Sequence, residues 1–486
     1  MANKVNEHDQ TVNLIEKCQV GPPPGSVPSP NSIPLSFFDL PWLCCPITCK
    51  RIFFYDFPYP KTQFVEKVLP NLKHSLSLTL KHFFPFSSNI IFPPKPQSPH
   101  ILYSEGDTLS FIVAESTTNF NNLISHAPKD ATILDPFVPT LPSPRALQDG
   151  TLLISPVAIQ VTVLPNSGFT ICVTFSHMVG DGRAFHNFLK FWSSLCMSKR
   201  VTSSFDESLL SFPILARDKI EDPNKLKPNF LEEMWNMSLN SIAWMDSVIP
   251  YNATNDMVRQ TTVLRPEHIE NLKKLVSMKC QSLGEGTSLH VSTFVVTCSL
   301  IWVSNVMLGL THVGVEEFPN EDEEVYFLFF ADCRYLSELK IPLTYFGNCL
   351  AGALVAIQKS KLVGQNGIFE AAIAIGSKIR DVQSEPYEGV EGLMSLAMMK
   401  NNAAMTQRVL AVTGSSKFGS YETDFGWGKP KLNELLHANY PGIFSLSPCR
   451  DIDDGVEVGV ALETDRIDKF NIILNELLTN TADLQD

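Results

Sequence analysis

The sequence predicts an α/β fold built from two domains of similar size. Three observations carry that reading. The 486 residues exceed what one ordinary hydrophobic core encloses. Apolar runs of period two and apolar runs of helical period occur together in both halves of the chain. Between the halves, residues 197–229 lose periodicity, and Lys199-Arg200, Arg217-Asp218-Lys219 and Glu221-Asp222-Pro223 mark an exposed crossover. The expected division is an N-terminal domain over residues 1–200, a linker over 201–228 and a C-terminal domain over 229–486.

Taken in chain order, Leu14–Val20 reads as a first strand, followed by a Pro- and Ser-rich extended stretch, Pro22–Pro34, and the apolar run Phe37–Trp42. Residues 61–85 read as an amphipathic helix interrupted at Pro70, with Phe64, Val65, Val68, Leu69, Leu72, Leu76 and Leu80 at helical spacing. Val157, Ile159, Val161 and Val163 alternate with Ala158, Gln160 and Thr162, Pro165-Asn166-Ser167-Gly168 turns the chain, and Phe169, Ile171, Val173 and Phe175 share one face of a second strand. The two runs predict a hairpin. Phe185, Phe188, Leu189, Trp192 and Leu195 then recur at helical spacing. The second half predicts helices at 266–278, 288–308 and 368–383, and strands near 325–331, 408–413 and 456–462. The acidic run Glu316–Glu324 reads as a solvated loop.

Bulk composition narrows the function classes. Hydrophobic residues at 44% and charged residues at 18% describe a soluble globular protein. A net charge of −13 argues against nucleic acid or an anionic membrane as the main partner, so an anionic ligand needs a local basic pocket. Eleven cysteines without paired spacing suit a reducing compartment. Met1–Gln19 has no apolar core of secretory length, which predicts a cytoplasmic location; Asn236-Met237-Ser238 and Asn252-Ala253-Thr254 would then be idle as glycosylation sites. Residues 291–315 are the most membrane-like, but Ser292, Thr293, Thr297, Ser299, Ser304, Asn305 and His312 interrupt them, which predicts a buried helix.

The chemistry centres on Phe175-Ser176-His177-Met178-Val179-Gly180-Asp181-Gly182, where a strand ends and a helix begins. A histidine at the mouth of a sheet can serve as general base. The spacing alone is weak, since His126-Ala127-Pro128-Lys129-Asp130 repeats it, but Pro128 and polar flanks make that second copy a loop. On geometry alone Asp181 is equally a helix N-cap and His177 an edge residue. Asp424-Phe425-Gly426-Trp427-Gly428 reads as a tight turn pinned by a buried ring, and Tyr345-Phe346-Gly347-Asn348-Cys349 as a turn carrying core aromatics. No Gly-x-Ser-x-Gly elbow offers a nucleophile, and no third ligand joins His177 and Asp181 to make a metal site.

Together, His177-x-x-x-Asp181-Gly182, Tyr345-Phe346-Gly347-Asn348-Cys349 and Asp424-Phe425-Gly426-Trp427-Gly428 resemble the motifs of the BAHD family of plant acyl-CoA-dependent acyltransferases, in that order and over nearly the whole chain. The middle string, with Glu16-Lys17-Cys18-Gln19-Val20 and the run Phe53–Pro60, is similar to the branch that acylates anthocyanins and other flavonoid glycosides. The resemblance implies two chloramphenicol-acetyltransferase-like domains of mixed sheet and helix, with a channel between them that admits acyl-CoA at one mouth and the acceptor at the other. It implies no permanently bound cofactor and a monomer that takes acyl-CoA as co-substrate. His177 is the implied base for a sugar hydroxyl that attacks a malonyl or hydroxycinnamoyl thioester directly, and Thr413 the implied oxyanion donor. Asp181 is implied to pair with Arg334, with Gly182, Asp424, Gly426 and Trp427 in supporting roles. Ser415 stands where many relatives have tryptophan. Lys273, Ser292 and Thr293 are the candidates for holding CoA, and Arg183, otherwise a solvated first-turn residue, is the candidate for a malonyl carboxylate. An amine acceptor, or an inactive relative that only binds a metabolite, are the alternatives.

Overall fold

The computed structural model describes residues 12–45, 47–201, 210–236, 256–282, 291–310, 323–399, 408–436 and 442–482. Two sheets organise them. The first has six strands in the order Val12–Val20, Leu109–Ser116, Val157–Leu164, Gly168–Ser176, Thr48–Asp56 and Leu432–Leu435. The expected hairpin is at its centre, antiparallel, with Val157 opposite Phe175 and Leu164 opposite Gly168. Asn166 makes the turn at φ 60°, a conformation its short polar side chain tolerates. The strands alternate as expected, and every residue on both faces of both strands is buried. The helix Gly182–Val201 covers one face, stacking Phe185 on Phe175 at 4.6 Å between ring centroids. On the other face Cys172 joins Phe120, Leu134 and Phe137 in a second apolar cluster, and Gln160 is satisfied by donating to the Pro136 carbonyl.

The second sheet has seven strands, in the order Leu350–Gln358, Glu324–Asp332, Val409–Gly414, Ile443–Pro448, Val456–Glu463, Met257–Leu264 and Lys129–Asp130. Helices Pro266–Ser282, Thr293–Leu310, Gly367–Ser384, Pro386–Met399 and Thr464–Ala482 accompany it. Thr293–Leu310 is the buried helix expected from its polar interruptions; Trp302 packs on Phe327, and no described helix is long and apolar enough to cross a membrane. Each sheet borrows from the other half of the chain. Leu432–Leu435 pairs antiparallel with Thr48–Asp56, and Lys129–Asp130 pairs with Met257–Leu264, so backbone hydrogen bonds lace the two halves together. A smaller five-stranded sheet lies in the N-terminal half.

Three expectations need correction. The helix at 61–85 ends at Leu80, and its irregularity precedes Pro70 as a π-helical turn over Phe64–Val68. That wider turn gives room for a proline ring that would otherwise strike the preceding turn's carbonyl. The crossover is not wholly exposed, because Arg217 is 3% exposed and a helix, Leu226–Asn236, starts within it. In the Asp424 turn the buried ring is Phe425, edge-on to Trp192 at 4.8 Å, while Trp427 is only half-buried. The sequon at Asn252 and nearly all of the acidic run lie outside the described residues.

Candidate active site

The strand Gly168–Ser176 delivers His177 at its end. The His177 N–H donates to the Ile47 carbonyl at 2.9 Å, and its own carbonyl accepts from Asn348 Nδ2 at 2.9 Å. The half-buried imidazole stacks on Trp42, with centroids 3.7 Å apart and planes inclined by 22°. Burial lowers its pKa to about 4, against the opposing pull of the Asp181 charge, its own carbonyl, Asn348 and Asp39. The ring is therefore neutral across the physiological range and able to accept a proton.

Both carboxylate oxygens of Asp181 are taken up by structural contacts. Its Oδ2 accepts from Arg334 Nη1 at 2.8 Å and the Cys349 N–H at 3.0 Å; its Oδ1 accepts from Arg334 Nη2 at 3.2 Å and the Ala184 N–H at 3.0 Å. The N-cap and the ion pair expected of Asp181 thus coexist. The guanidinium binds the carboxylate bidentately, and Nη2 also reaches the Tyr345 and Gly347 carbonyls at 3.2 and 2.9 Å. Burial pushes the Asp181 carboxyl up, but the charge and hydrogen bonds of Arg334 outweigh it and leave the pKa below the usual range. Gly182 opens the helix, and a Cβ there would lie 3.1 Å from the Phe418 ring.

The remaining predicted residues divide by location. Thr413 is half-buried near the end of the strand Val409–Gly414, opposite Ser445. The loop after it brings Phe418 against Gly182 and stacks Phe418 on His186 at 4.4 Å, so that loop packs on the helix that follows the His177–Asp181 turn. Asp424 works on its own turn. Its Oδ1 accepts from the N–H groups of Gly426 at 2.7 Å and Gly428 at 3.0 Å, and both glycines hold φ 97°, which a side chain would strain. Arg183 donates to Asp332 Oδ2 at 2.5 Å and to Tyr335 Oη at 2.6 Å. Lys273 pairs with Glu270 on its own helix at 2.9 Å. The Ser292 hydroxyl accepts from the Val295 N–H at 3.3 Å, capping the helix that Thr293 begins. His126 lies in a loop, 3.8 Å from Glu457.

Sequence reasoning missed Trp42, Asp39, Arg217 and the part played by Asn348. Asp39 carried a legible signal, as the lone charge in the apolar run Leu35–Leu43. It is fully buried, 3.0 Å from Arg217, and accepts from both the backbone N–H and the side-chain amide of Asn348. A carboxylate in such a run needs partners, though sequence alone could not say which.

Two sheets joined by exchanged strands, with a histidine held largely neutral at the end of a central strand, place a candidate general base in an α/β fold. Known proteins agree. The model described as "Transferase family" matches residues 11–476. A coumaroyl-CoA:anthocyanidin 3-O-glucoside-6''-O-coumaroyltransferase of Arabidopsis thaliana is 37% identical over 96% of this chain and 98% of its own length. A malonyl-coenzyme A:anthocyanin 3-O-glucoside-6''-O-malonyltransferase of Dahlia pinnata is 33% identical over 96% and 97%. Vinorine synthase shares the fold, with a TM-score of 0.64 at 17% identity over 94% of this chain and 96% of its own. The chain belongs to this transferase family, the BAHD acyltransferases, and is an acyltransferase.

Proposed function

We propose that the protein transfers a hydroxycinnamoyl group from CoA to a sugar hydroxyl of a flavonoid or other phenolic glycoside, with His177 as general base. The observation that carries the base assignment is the half-buried, neutral imidazole held by its backbone and by Trp42 at the end of a buried strand. His177 takes the acceptor's hydroxyl proton as the oxygen attacks the thioester carbonyl. Thr413 donates to the tetrahedral oxyanion. Collapse breaks the C–S bond, and the leaving thiolate, whose thiol has a pKa of roughly 8.5, takes the proton back from His177. No acyl-enzyme forms. Asp181 and Arg334 aim the loop and exchange no proton.

Donor choice follows from Arg183. A malonyl group ends in a free carboxylate and calls for an available guanidinium, whereas Arg183 is already bound to Asp332 and lies over the Tyr335 ring at 4.9 Å. A planar hydroxycinnamoyl group makes no such demand. CoA's phosphates fall to the helices that carry Lys273, Ser292 and Thr293, and the reaction is read as cytosolic. The test offers coumaroyl-CoA and malonyl-CoA separately with a panel of phenolic glucosides, following thiol release and product mass. Coumaroylated glucoside supports the proposal; malonyl transfer alone removes the donor assignment, and turnover with neither removes the function.

A further inference from the structure

The Asn348 side chain has only one orientation that its surroundings allow. Its Nδ2 is 3.0 Å from Asp39 Oδ1 and 2.9 Å from the His177 carbonyl, and both are acceptors only. The amide oxygen must therefore occupy the other position, where it is buried and has no hydrogen-bond partner. His177 Nδ1 is likewise buried and makes no well-formed hydrogen bond, although its own carbonyl and Asn348 both act on the ring. Two unmatched atoms, one able to accept and the other able to donate, thus belong to side chains already joined through the His177 carbonyl. Asp39 holds this amide and is itself firmly held. Its Oδ2 accepts from the Ser36 N–H at 2.9 Å and the Ser36 hydroxyl at 2.7 Å, and its Oδ1 lies 3.0 Å from Arg217 Nη1. Arg217 Nη2 in turn donates to the Val179 carbonyl at 2.5 Å, inside the His177–Asp181 loop.

We propose that Asp39 is a positioning residue for acyl transfer: anchored by Arg217, it fixes the Asn348 amide so that Asn348 Oδ1 accepts a hydrogen bond from His177 Nδ1–H and Nε2 is left as the base. This rests on His177 being the base, and it gives the histidine an orienting partner that Asp181 does not supply. The arrangement follows the general logic in which a base is aimed, and its tautomer chosen, by a third group. Two carboxylates face the imidazole, Asp181 from its own loop and Asp39 from the Ser36–Trp42 segment. Each is neutralised by one arginine, Arg334 from the turn Cys333–Tyr335 and Arg217 from the crossover. Trp42, three residues after Asp39, fixes the ring plane, so one short segment sets both the plane and the tautomer.

Asp39→Asn tests this, because it keeps the shape and allows the facing amide to turn over. ¹⁵N NMR of the labelled full chain reads the His177 tautomer, assigned by His177→Gln, and steady-state rates give kcat and KM. The wild type is expected to carry the proton on Nδ1. In Asp39→Asn that preference is lost and kcat falls about tenfold to hundredfold, as for a misaimed group. KM for coumaroyl-CoA stays within about twofold, since Asp39 acts on proton transfer and not on binding. The acid limb of the kcat profile moves to lower pH, because a negative charge that favours the imidazolium is gone. A folded Asp39→Asn protein with the wild-type tautomer and wild-type kcat overturns the proposal. Should that variant not fold, Asn348→Ser is read in the same way. A wild type that transfers no acyl group removes the proposed function, while the tautomer measurement still decides the role of Asp39.

Discussion

Arg334→Ala perturbs a fully buried charge pair at the loop that carries His177. The Arg334 and Asp181 side chains are 0% and 1% exposed, so the substitution leaves a buried carboxylate with two backbone N–H donors and no arginine counter-charge. Removing one partner from such a pair costs about 3–5 kcal/mol. The Tyr345 and Gly347 carbonyls lose their donor as well, which puts the expected value at the upper end. Urea denaturation at neutral pH measures it. The pH dependence supplies a signature of its own. In the wild type the folded pKa of Asp181 is below its unfolded value, so its contribution is complete above about pH 4 and is lost as pH falls. In Arg334→Ala burial is opposed only by the remaining N–H donors and His177 and raises that pKa, so the variant should recover part of its deficit on mild acidification. Asp181→Asn combined with Arg334→Ala should be more stable than Arg334→Ala alone. An Arg334→Ala protein within about 1 kcal/mol of wild type would refute the reasoning, since a median surface ion pair does no more.

Two further predictions concern sites away from His177. Asp424→Ala should lower stability by about 1–2 kcal/mol, because the N–H groups of Gly426 and Gly428 lose their acceptor, and Gly426→Ala should lower it similarly through strain at φ 97°. Both should leave kcat near wild type at low temperature, so a kcat loss without destabilisation would contradict a structural role for the turn. Glu457 is buried, donated to by Tyr421 Oη at 2.7 Å, and its pKa is pushed up to about 7 by burial. Its folded pKa exceeds the unfolded one, so its stabilising contribution is complete below about pH 4.5 and is lost as pH rises through 7. Glu457→Gln should flatten the fall in urea midpoint between those limits; an unchanged slope would show that another group titrates there.

Local sequence patterns revealed most elements, because strand and helix periodicities are properties of neighbouring residues. The hairpin ending at Ser176, the helix after Gly182 and the buried Thr293–Leu310 helix all follow from them. The missed features depend on residues far apart in sequence. Alternation in Val157–Leu164 says nothing of what covers its second face, which Phe120, Leu134 and Phe137 arrive from elsewhere to bury. Leu432–Leu435 gives no local sign that it will pair with Thr48–Asp56. In the site, His177 and Asp181 were legible because they sit in a motif, and Arg334 because the family resemblance implies its pairing with Asp181. Arg217 looked like one charge among many in a polar stretch, and only the fold shows it buried against Asp39. Trp42 resembled any core aromatic until the fold stacked it on His177.

The central claim is that His177 moves the proton. The most direct test compares His177→Ala with wild type, measuring kcat and KM for coumaroyl-CoA with a phenolic glucoside that the wild type acylates. With His177 as base, kcat should fall by about 10²–10⁴-fold while KM for the donor changes little, the loss expected when a positioned general base is removed. A variant that retains wild-type kcat would contradict it.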